Sequence, residues 1–478
     1  MNGDLCAARL VMPAVRWKAE GGFEHEREMA ARAVELGVGG FIVFGGTVSA
    51  IRRFVGSVLQ QAGRPLLIGS DLERGAGQQV AGLSEFPPPA ALASLEDPGA
   101  IVAAAGSTAA EARYAGINWV FAPVADLDCE PRNPIVQTRA FGADPDLVAR
   151  DVTLWVEACQ AAGALASAKH YPGHGRTTGD SHRELPRVDA PLDVVERDEL
   201  PFRAAVSAGV ASVMTAHVGF PALDPLGAPA TFSAPILSRL RRKLGFSGLV
   251  VTDAMIMEAA RSGAGEAQAA VAIVNAGCDM LLYPQQPIAV AEALLASAAS
   301  GELPEPRLRE ALARYDRALA QATGTPSPLE RSPEAVTTSL AIADRLIARG
   351  MARGEPPRLK APLDLFVVDD DQGGPYPAVP DVIIPRDLHV AGVPEGKGGS
   401  TIVLAYAEPR GWKGRAGFSL DARQALALEA PVADLVVLFG HPRLLEEIPG
   451  NAPVLVAWHR QNLMQFSVAR WIQKHLVI

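Results

Sequence analysis

Over roughly the first 320 residues, short apolar runs alternate with helical stretches, and this alternation restricts the fold more than any single motif does. The runs that read as strands are Arg9–Val15, Phe41–Phe44, Leu66–Gly69, Asn118–Val124, Ala164–Lys169, Ser212–Ala216, Leu249–Thr252 and Met280–Tyr283. Between them lie helical patterns such as Glu24–Leu36, Ile101–Ala115, Asp144–Ala162, Glu196–Ala208, Ile236–Leu244 and Glu266–Ala276. Several of these end at a glycine suited to a helix C-cap: Gly37, Gly116, Gly163, Gly209, Gly245 and Gly277. Eight β-α repeats predict an α/β fold of the (β/α)8 TIM-barrel type. An open doubly wound sheet is the alternative, and the run of eight favours closure.

In a barrel of this kind, chemistry collects where the strands end. Asp71, Glu73 and Arg74 follow the third strand. Asp126 and Asp128 follow the fourth, then a loop with Arg132, Asn133 and Arg139. Lys169 and His170 follow the fifth, His217 the sixth and Asp253 the seventh. The polar residues therefore fall on one face of the predicted barrel. A Pro/Ser-rich break at Thr323–Pro328 then reads as a linker. Beyond it a helix over Pro333–Arg349 and strands at Leu363–Val368, Val382–Ile384, Thr401–Ala407, Asp434–Phe439 and Val454–Trp458 predict a small α/β sandwich domain. The expected division is a barrel over 1–322, a linker over 323–335 and the second domain over 336–478.

The chain of 478 residues carries a net charge of −9 and no long basic run, which argues against a nucleic-acid partner. No apolar run reaches the roughly 18 residues that cross a bilayer, so no membrane partner is expected. The N-terminus lacks a basic region followed by an apolar core, and the cytoplasm is the expected compartment. The four cysteines have no C-x-x-C spacing and read as mostly buried thiols. The sequence gives no oligomeric state.

The densest chemistry lies in Lys169-His170-Tyr171-Pro172-Gly173-His174-Gly175-Arg176-Thr177-Thr178-Gly179-Asp180-Ser181-His182. Gly and Pro break it into a loop beyond a small-residue strand. A solvated loop is one reading. A metal site built from His170, His174, Asp180 and His182 is a second, but the spacing matches no helix-borne zinc pattern such as H-E-x-x-H. No metal or cofactor is expected. The third reading is acid–base and sugar-binding chemistry.

The segment KHYPGHG followed by DSH resembles the signature loop of the β-N-acetylglucosaminidases of glycoside hydrolase family 3. The resemblance continues through Val213–Val218, Pro229–Ser233, Leu244–Asp253 and Ala276–Leu282, and earlier through Phe121–Asp126 and Arg139–Gly142. It covers about residues 8 to 320, with weaker signals such as Leu435–Gly440 beyond. Two departures stand out. Many relatives read D-x-E-G-G-R after the third strand, where this chain has Asp71-Leu72-Glu73-Arg74-Gly75-Ala76. Relatives also often carry two aspartates at the nucleophile, where this chain has Asp253 and Ala254.

The resemblance implies Asp253 as nucleophile and His182, paired with Asp180, as acid/base. Imidazole titrates near neutrality, so one group can give and then take a proton, and a carboxylate can fix its tautomer. Glu73, Glu184 and Glu258 are the carboxylate alternatives. Asp71, Arg139, Lys169 and His170 are the implied sugar clamp, with His217 and Arg132 behind them. His174, between two glycines, either braces the loop or touches substrate. The implied activity is that of a retaining exo-acting β-N-acetylglucosaminidase (a β-N-acetylhexosaminidase) on a small carbohydrate substrate of cell-wall muropeptide or chitin-fragment type, consistent with peptidoglycan recycling. A phosphorylase, a β-glucosidase and a non-catalytic sugar-binding protein are the competing functions.

Overall fold

The computed structural model describes residues 5–178, 185–257, 265–324, 330–331, 333–372, 381–410 and 413–477. The chain divides into two compact units. The first comprises residues 1–84, 101–127 and 143–332, and the second 85–100, 128–142 and 333–478.

The strands of the first unit are β1 (Val11–Met12), β2 (Ala14–Arg16), β3 (Gly40–Phe44), β4 (Leu67–Ser70), β5 (Trp119–Val120), β6 (Leu165–Tyr171), β7 (Ser212–Thr215), β8 (Leu249–Thr252) and β9 (Leu281–Leu282). Strands β2 to β8 pair in chain order into one parallel sheet of seven strands. A parallel bridge joins Val251 to Met280, and β9 pairs in parallel with β1. The sheet is the curled, half-barrel arrangement of a TIM-like α/β fold. Helices fall between the strands: α1 (Arg27–Leu36), α2 (Val48–Ala62), α3 (Pro89–Ser94), α4 (Pro98–Ala115), α5 (Pro145–Ala161), α6 (Leu192–Asp198), α7 (Leu200–Ser207), α8 (Ala234–Arg242), α9 (Glu266–Ala276), α10 (Pro287–Ser300) and α11 (Glu305–Gly324). Of these, α3 belongs to the second unit.

Local chemistry explains several boundaries. Asp144 caps α5 by accepting the N–H groups of Asp146 and Leu147, and Pro145 follows where its missing N–H costs nothing. Ser233 caps α8 in the same way, and three arginines fill its last turn. The six expected C-cap glycines all adopt positive φ. Strand β6 is buried along its whole length, as expected of a parallel strand covered on both faces.

One apolar cluster gathers Leu67, Leu165 and Leu249, which open their strands, with Trp119, Phe121 and Tyr315, Ala318 and Ala322 of α11. Gly69 permits this packing, since a Cβ there would stand 2.4 Å from the Phe121 ring. Helix α11 thus packs against the end where the strands begin. Near β9, the buried Asp279 accepts the Val250 N–H and pairs with Arg241, Arg307 and Arg314. That knot ties α8 and α11 to the last strands.

In the second unit α12 (Glu334–Ala348) leads to β10 (Met351–Arg353), β11 (Leu359–Lys360), β12 (Asp364–Asp369), α13 (Ile384–Val390), β13 (Thr401–Ala407), α14 (Leu420–Glu429), β14 (Leu435–Gly440), β15 (Val454–Val456), α15 (Asn462–Lys474) and β16 (Leu476–Val477). The five-stranded sheet has the order β10-β15-β14-β13-β12, with β10 antiparallel. Apolar residues of β13, β14 and β15 pack with Ala422 and Leu426 of α14 in one core. The strand expected at Val382–Ile384 is not formed; Ile384 instead begins α13, with Pro385 in its first turn. A three-residue apolar run does not separate a strand from a buried helix start, and the proline suits the latter. No helix among the described residues is long and apolar enough to cross a membrane.

Candidate active site

The end of β6 supplies two adjacent side chains to one site. Neighbouring residues of a regular strand point to opposite faces. Here the register with β7 shifts between Lys169 and Tyr171. Lys169, with its side chain 3% exposed, extends Nζ to Asp71 Oδ1 at 2.8 Å and to Glu73 Oε1 at 2.6 Å. His170 sets Nδ1 2.7 Å from Asp126 Oδ2, and its Nε2 lies 3.9 Å from Asp253 Oδ2. Asp71, Asp126 and Asp253 follow β4, β5 and β8, so loops after several strands converge on β6.

Asp253 is held in place by its backbone. Its N–H donates to Thr215 O at 3.2 Å, and the Ala254 N–H donates to its Oδ1 at 2.7 Å. Burial pushes its carboxyl pKa up, but His170, His217, the Ala254 N–H and Lys169 together outweigh burial and hold it at about 2. The group is therefore an ionised carboxylate with 19% of its side chain exposed. Asp126 follows the same pattern. Burial raises its pKa, the neighbouring His170 and His174 lower it more, and the net shift is downward.

His217 is fully buried. Its Nε2 lies 3.3 Å from Ala254 O and its Nδ1 2.9 Å from Thr231 Oγ1. A carbonyl only accepts, so Nε2 carries the proton and Nδ1 accepts from the threonine. Burial lowers the pKa of His217, which keeps the ring neutral near pH 7.

The loop beyond β6 turns on glycine. A Cβ at Gly175 would fall 1.8 Å from the Leu127 carbonyl oxygen, so no other residue fits. His174 is 2% exposed, with Nδ1 2.7 Å from Thr177 Oγ1 and its backbone N–H donated to Asp126. It braces the loop, and burial lowers its pKa to about 4. Asp180, His182, Glu184 and Glu258 lie outside the described residues. Among the expected residues, the structure brings together Asp71, Lys169, His170, His217 and Asp253. Arg139 belongs to the second unit, where its Nη1 donates to Ile135 O at 3.3 Å. Arg132, in the same segment, pairs with Glu130.

Sequence reasoning gave no role to Asp126 or Thr231, and treated Glu73 only as a spare acid. Asp126 carried the signal of a carboxylate just past a strand end. Thr231 carried none, because it reaches His217 from a separate turn. No group of three or more His, Cys, Asp or Glu among the described residues is arranged to hold a metal ion. The arrangement offers an ionised carboxylate, open to solvent on one side and bracketed by an ammonium and two imidazoles. Such a group can attack an electrophilic carbon or stabilise a developing cation.

Residues 6–318 match the model of the glycosyl hydrolase family 3 N terminal domain. A β-N-acetylglucosaminidase/β-glucosidase of Cellulomonas fimi is 39% identical over 261 residues, covering 52% of this chain and 46% of that protein. A β-hexosaminidase of Chromobacterium violaceum is 41% identical over 208 residues, covering 43% of this chain and 57% of its own. The chain thus spans about half the length of these two relatives. A solved family 3 β-N-acetylglucosaminidase from Paenibacillus sp. str. FPU-7 superposes with a TM-score of 0.85 at 27% identity, covering 100% of this chain and 98% of that one. A β-glucoside phosphorylase shares the fold, with a TM-score of 0.82 at 20% identity over 99% of this chain and 92% of that one.

The buried imidazole of His174 predicts an acid-sensitive term in stability. Its folded pKa of about 4 lies below the 6.5 of an unperturbed imidazole. The unfolded chain therefore takes up the proton first as pH falls, and this contribution to stability is lost between those two values. The stability advantage of the native protein over His174→Gln should shrink by about 2 kcal/mol between pH 7 and pH 5, measured by urea unfolding. Parallel pH profiles for the two proteins would contradict a neutral, buried ring.

Proposed function

Because the chain belongs to glycosyl hydrolase family 3, we propose that it is a retaining exo-acting β-N-acetylglucosaminidase built on a (β/α)8 barrel, with an α/β sandwich as its second domain. Its substrates in this reading are terminal N-acetylglucosaminides of cell-wall muropeptide or chitin-fragment type. The observation that carries the reading is the carboxylate of Asp253, ionised and bracketed by His170, His217 and Lys169 at the strand ends. The names of the Cellulomonas and Paenibacillus proteins supply the sugar.

In the first step Asp253 attacks the anomeric carbon while the glycosidic oxygen takes a proton from His182 and leaves. A glycosyl ester of Asp253 results. In the second step His182 removes a proton from water, the water oxygen attacks the same carbon, and Asp253 departs as a carboxylate. A depressed carboxyl pKa favours that departure. Asp180 orients and charges His182 in this scheme. Asp71, Lys169 and His170 hold the sugar hydroxyls by charge-assisted hydrogen bonds. His217 acts through Ala254 on the backbone that carries Asp253, in place of a direct sugar contact.

The double name of the Cellulomonas relative supports β-glucosidase as the second reading. The two are separated by nitrophenyl N-acetyl-β-glucosaminide and nitrophenyl β-glucoside, each in phosphate-free and phosphate buffer. The proposal expects faster turnover of the N-acetylglucosaminide and free sugar in both buffers. Preference for the glucoside would replace the substrate, and sugar 1-phosphate in phosphate buffer would make the enzyme a phosphorylase.

Asp253→Asn should abolish turnover while leaving sugar binding largely intact, since the carboxylate acts in the transition state. Calorimetric binding of N-acetylglucosamine together with near-native rates would move the nucleophile elsewhere.

His182→Ala should slow substrates with poor leaving groups by roughly 10²–10⁴-fold. A nitrophenolate leaves with little protonation, so its glycosylation step should suffer less. Added azide should restore turnover where deglycosylation limits. Asp180→Asn should give a weaker form of the same pattern. Equal losses across leaving groups, without anion rescue, would limit His182 to holding the loop.

A further inference from the structure

Asp126 is fully buried, yet among the described residues its hydrogen bonds go to one short segment of the site. Oδ1 accepts the backbone N–H groups of His170 at 3.1 Å and His174 at 2.6 Å. Oδ2 lies 2.7 Å from Nδ1 of the His170 ring. The two bonds at Oδ1 would suffice to hold the turn. The bond at Oδ2 does something else: it acts on a titratable side chain whose other nitrogen faces Asp253.

We propose that Asp126 is a positioning residue of the reaction, which keeps a proton on Nδ1 of His170 and turns the Nε2 edge of that ring toward Asp253. The proposal rests on the reading of Asp253 as nucleophile.

The geometry supports it in three ways. An ionised carboxylate has only acceptors, so the hydrogen of the 2.7 Å contact must sit on Nδ1. Asp126 remains ionised in spite of burial, because its histidine neighbours stabilise the charge. The 3.9 Å from Nε2 to Asp253 Oδ2 is beyond a hydrogen bond, so His170 influences Asp253 through the electrostatics and orientation of its ring. His170 is also the largest of the favourable influences that keep Asp253 ionised. A carboxylate that fixes one face of an imidazole sets what the other face presents.

Asp126→Asn tests this with little change in shape. Its amide oxygen can still accept the two backbone N–H groups. Its amide nitrogen then faces Nδ1 and can only donate, which moves the ring proton to Nε2. In the native protein, ¹⁵N NMR should show Nδ1 of His170 protonated, the signal being assigned by its loss in His170→Gln. In Asp126→Asn the proton should sit on Nε2. With nitrophenyl N-acetyl-β-glucosaminide, kcat should fall about 10²-fold while KM changes by less than about threefold, the mark of a group misplaced in the transition state. Circular dichroism and the melting temperature should stay close to native values.

A native His170 with bare Nδ1 overturns the proposal, and so does a folded Asp126→Asn variant with an unchanged proton position or an unchanged kcat. If the variant does not fold, the native ¹⁵N spectrum decides alone. Absence of glycoside turnover by the native enzyme would instead defeat the proposed hydrolase, and the ring's protonation would still be read independently.

Discussion

A carboxylate largely removed from water stays ionised only if the protein replaces the lost hydration with charge and hydrogen-bond donors. Asp253 poses that requirement, and much of the first unit can be understood as meeting it. Burial works against its charge, while His170, His217, the Ala254 N–H and Lys169 work for it. These groups come from the ends of β6 and β7 and from the residue next in the chain. A parallel sheet that curls brings strand ends of one polarity together, so a site of this kind needs the fold rather than a single loop. The apolar cluster that includes α11 fills much of the opposite end.

The imidazoles of the site differ in their partners. His174 and His217 are buried; Thr177 contacts the first ring, Thr231 and Ala254 O contact the second, and the rings feel the charges of Asp126 and Asp253 respectively. Burial lowers both pKa values and leaves the rings uncharged near neutrality. His170 stands between two carboxylates, Asp126 and Asp253. Lys169 in turn lies between Asp71 and Glu73, which hold its ammonium in a site that would otherwise penalise a buried charge. Residues of the same type thus have different partners within one site, and the difference comes from groups supplied by separate strands.

Which parts could be read beforehand follows from the range of the interactions involved. The strand runs at Phe41–Phe44, Thr401–Ala407 and Leu249–Thr252 and the glycine stops after the helices are local signals, and they were legible. So was the convergence of Asp71, Lys169, His170 and Asp253, because a strand end is a position in the chain. Val382–Ile384 was misread because three apolar residues carry no period. Asn118–Val124 shortens to a two-residue ladder at Trp119–Val120, since pairing is set by neighbours and not by hydrophobicity. The membership of 85–100 and 128–142 in the second unit depends on packing over hundreds of residues, and no local pattern announces it. Thr231 is similar: a threonine becomes a partner of His217 only once two distant turns meet.

The departure at residue 254 has a physical account. The family resemblance implies a second aspartate there, and this chain has Ala254. Its N–H donates to Asp253 Oδ1, and its carbonyl lies 3.3 Å from His217 Nε2. Both contacts use the backbone, so any residue with the same backbone path provides them. A second carboxylate beside Asp253 would add a like charge to a site where burial already opposes ionisation, and so raise the pKa that its neighbours hold down. With alanine at 254, that opposing charge is absent. Lys169 and His170 of β6, which also pair with Asp71, Glu73 and Asp126, are among the groups that hold Asp253 at about 2.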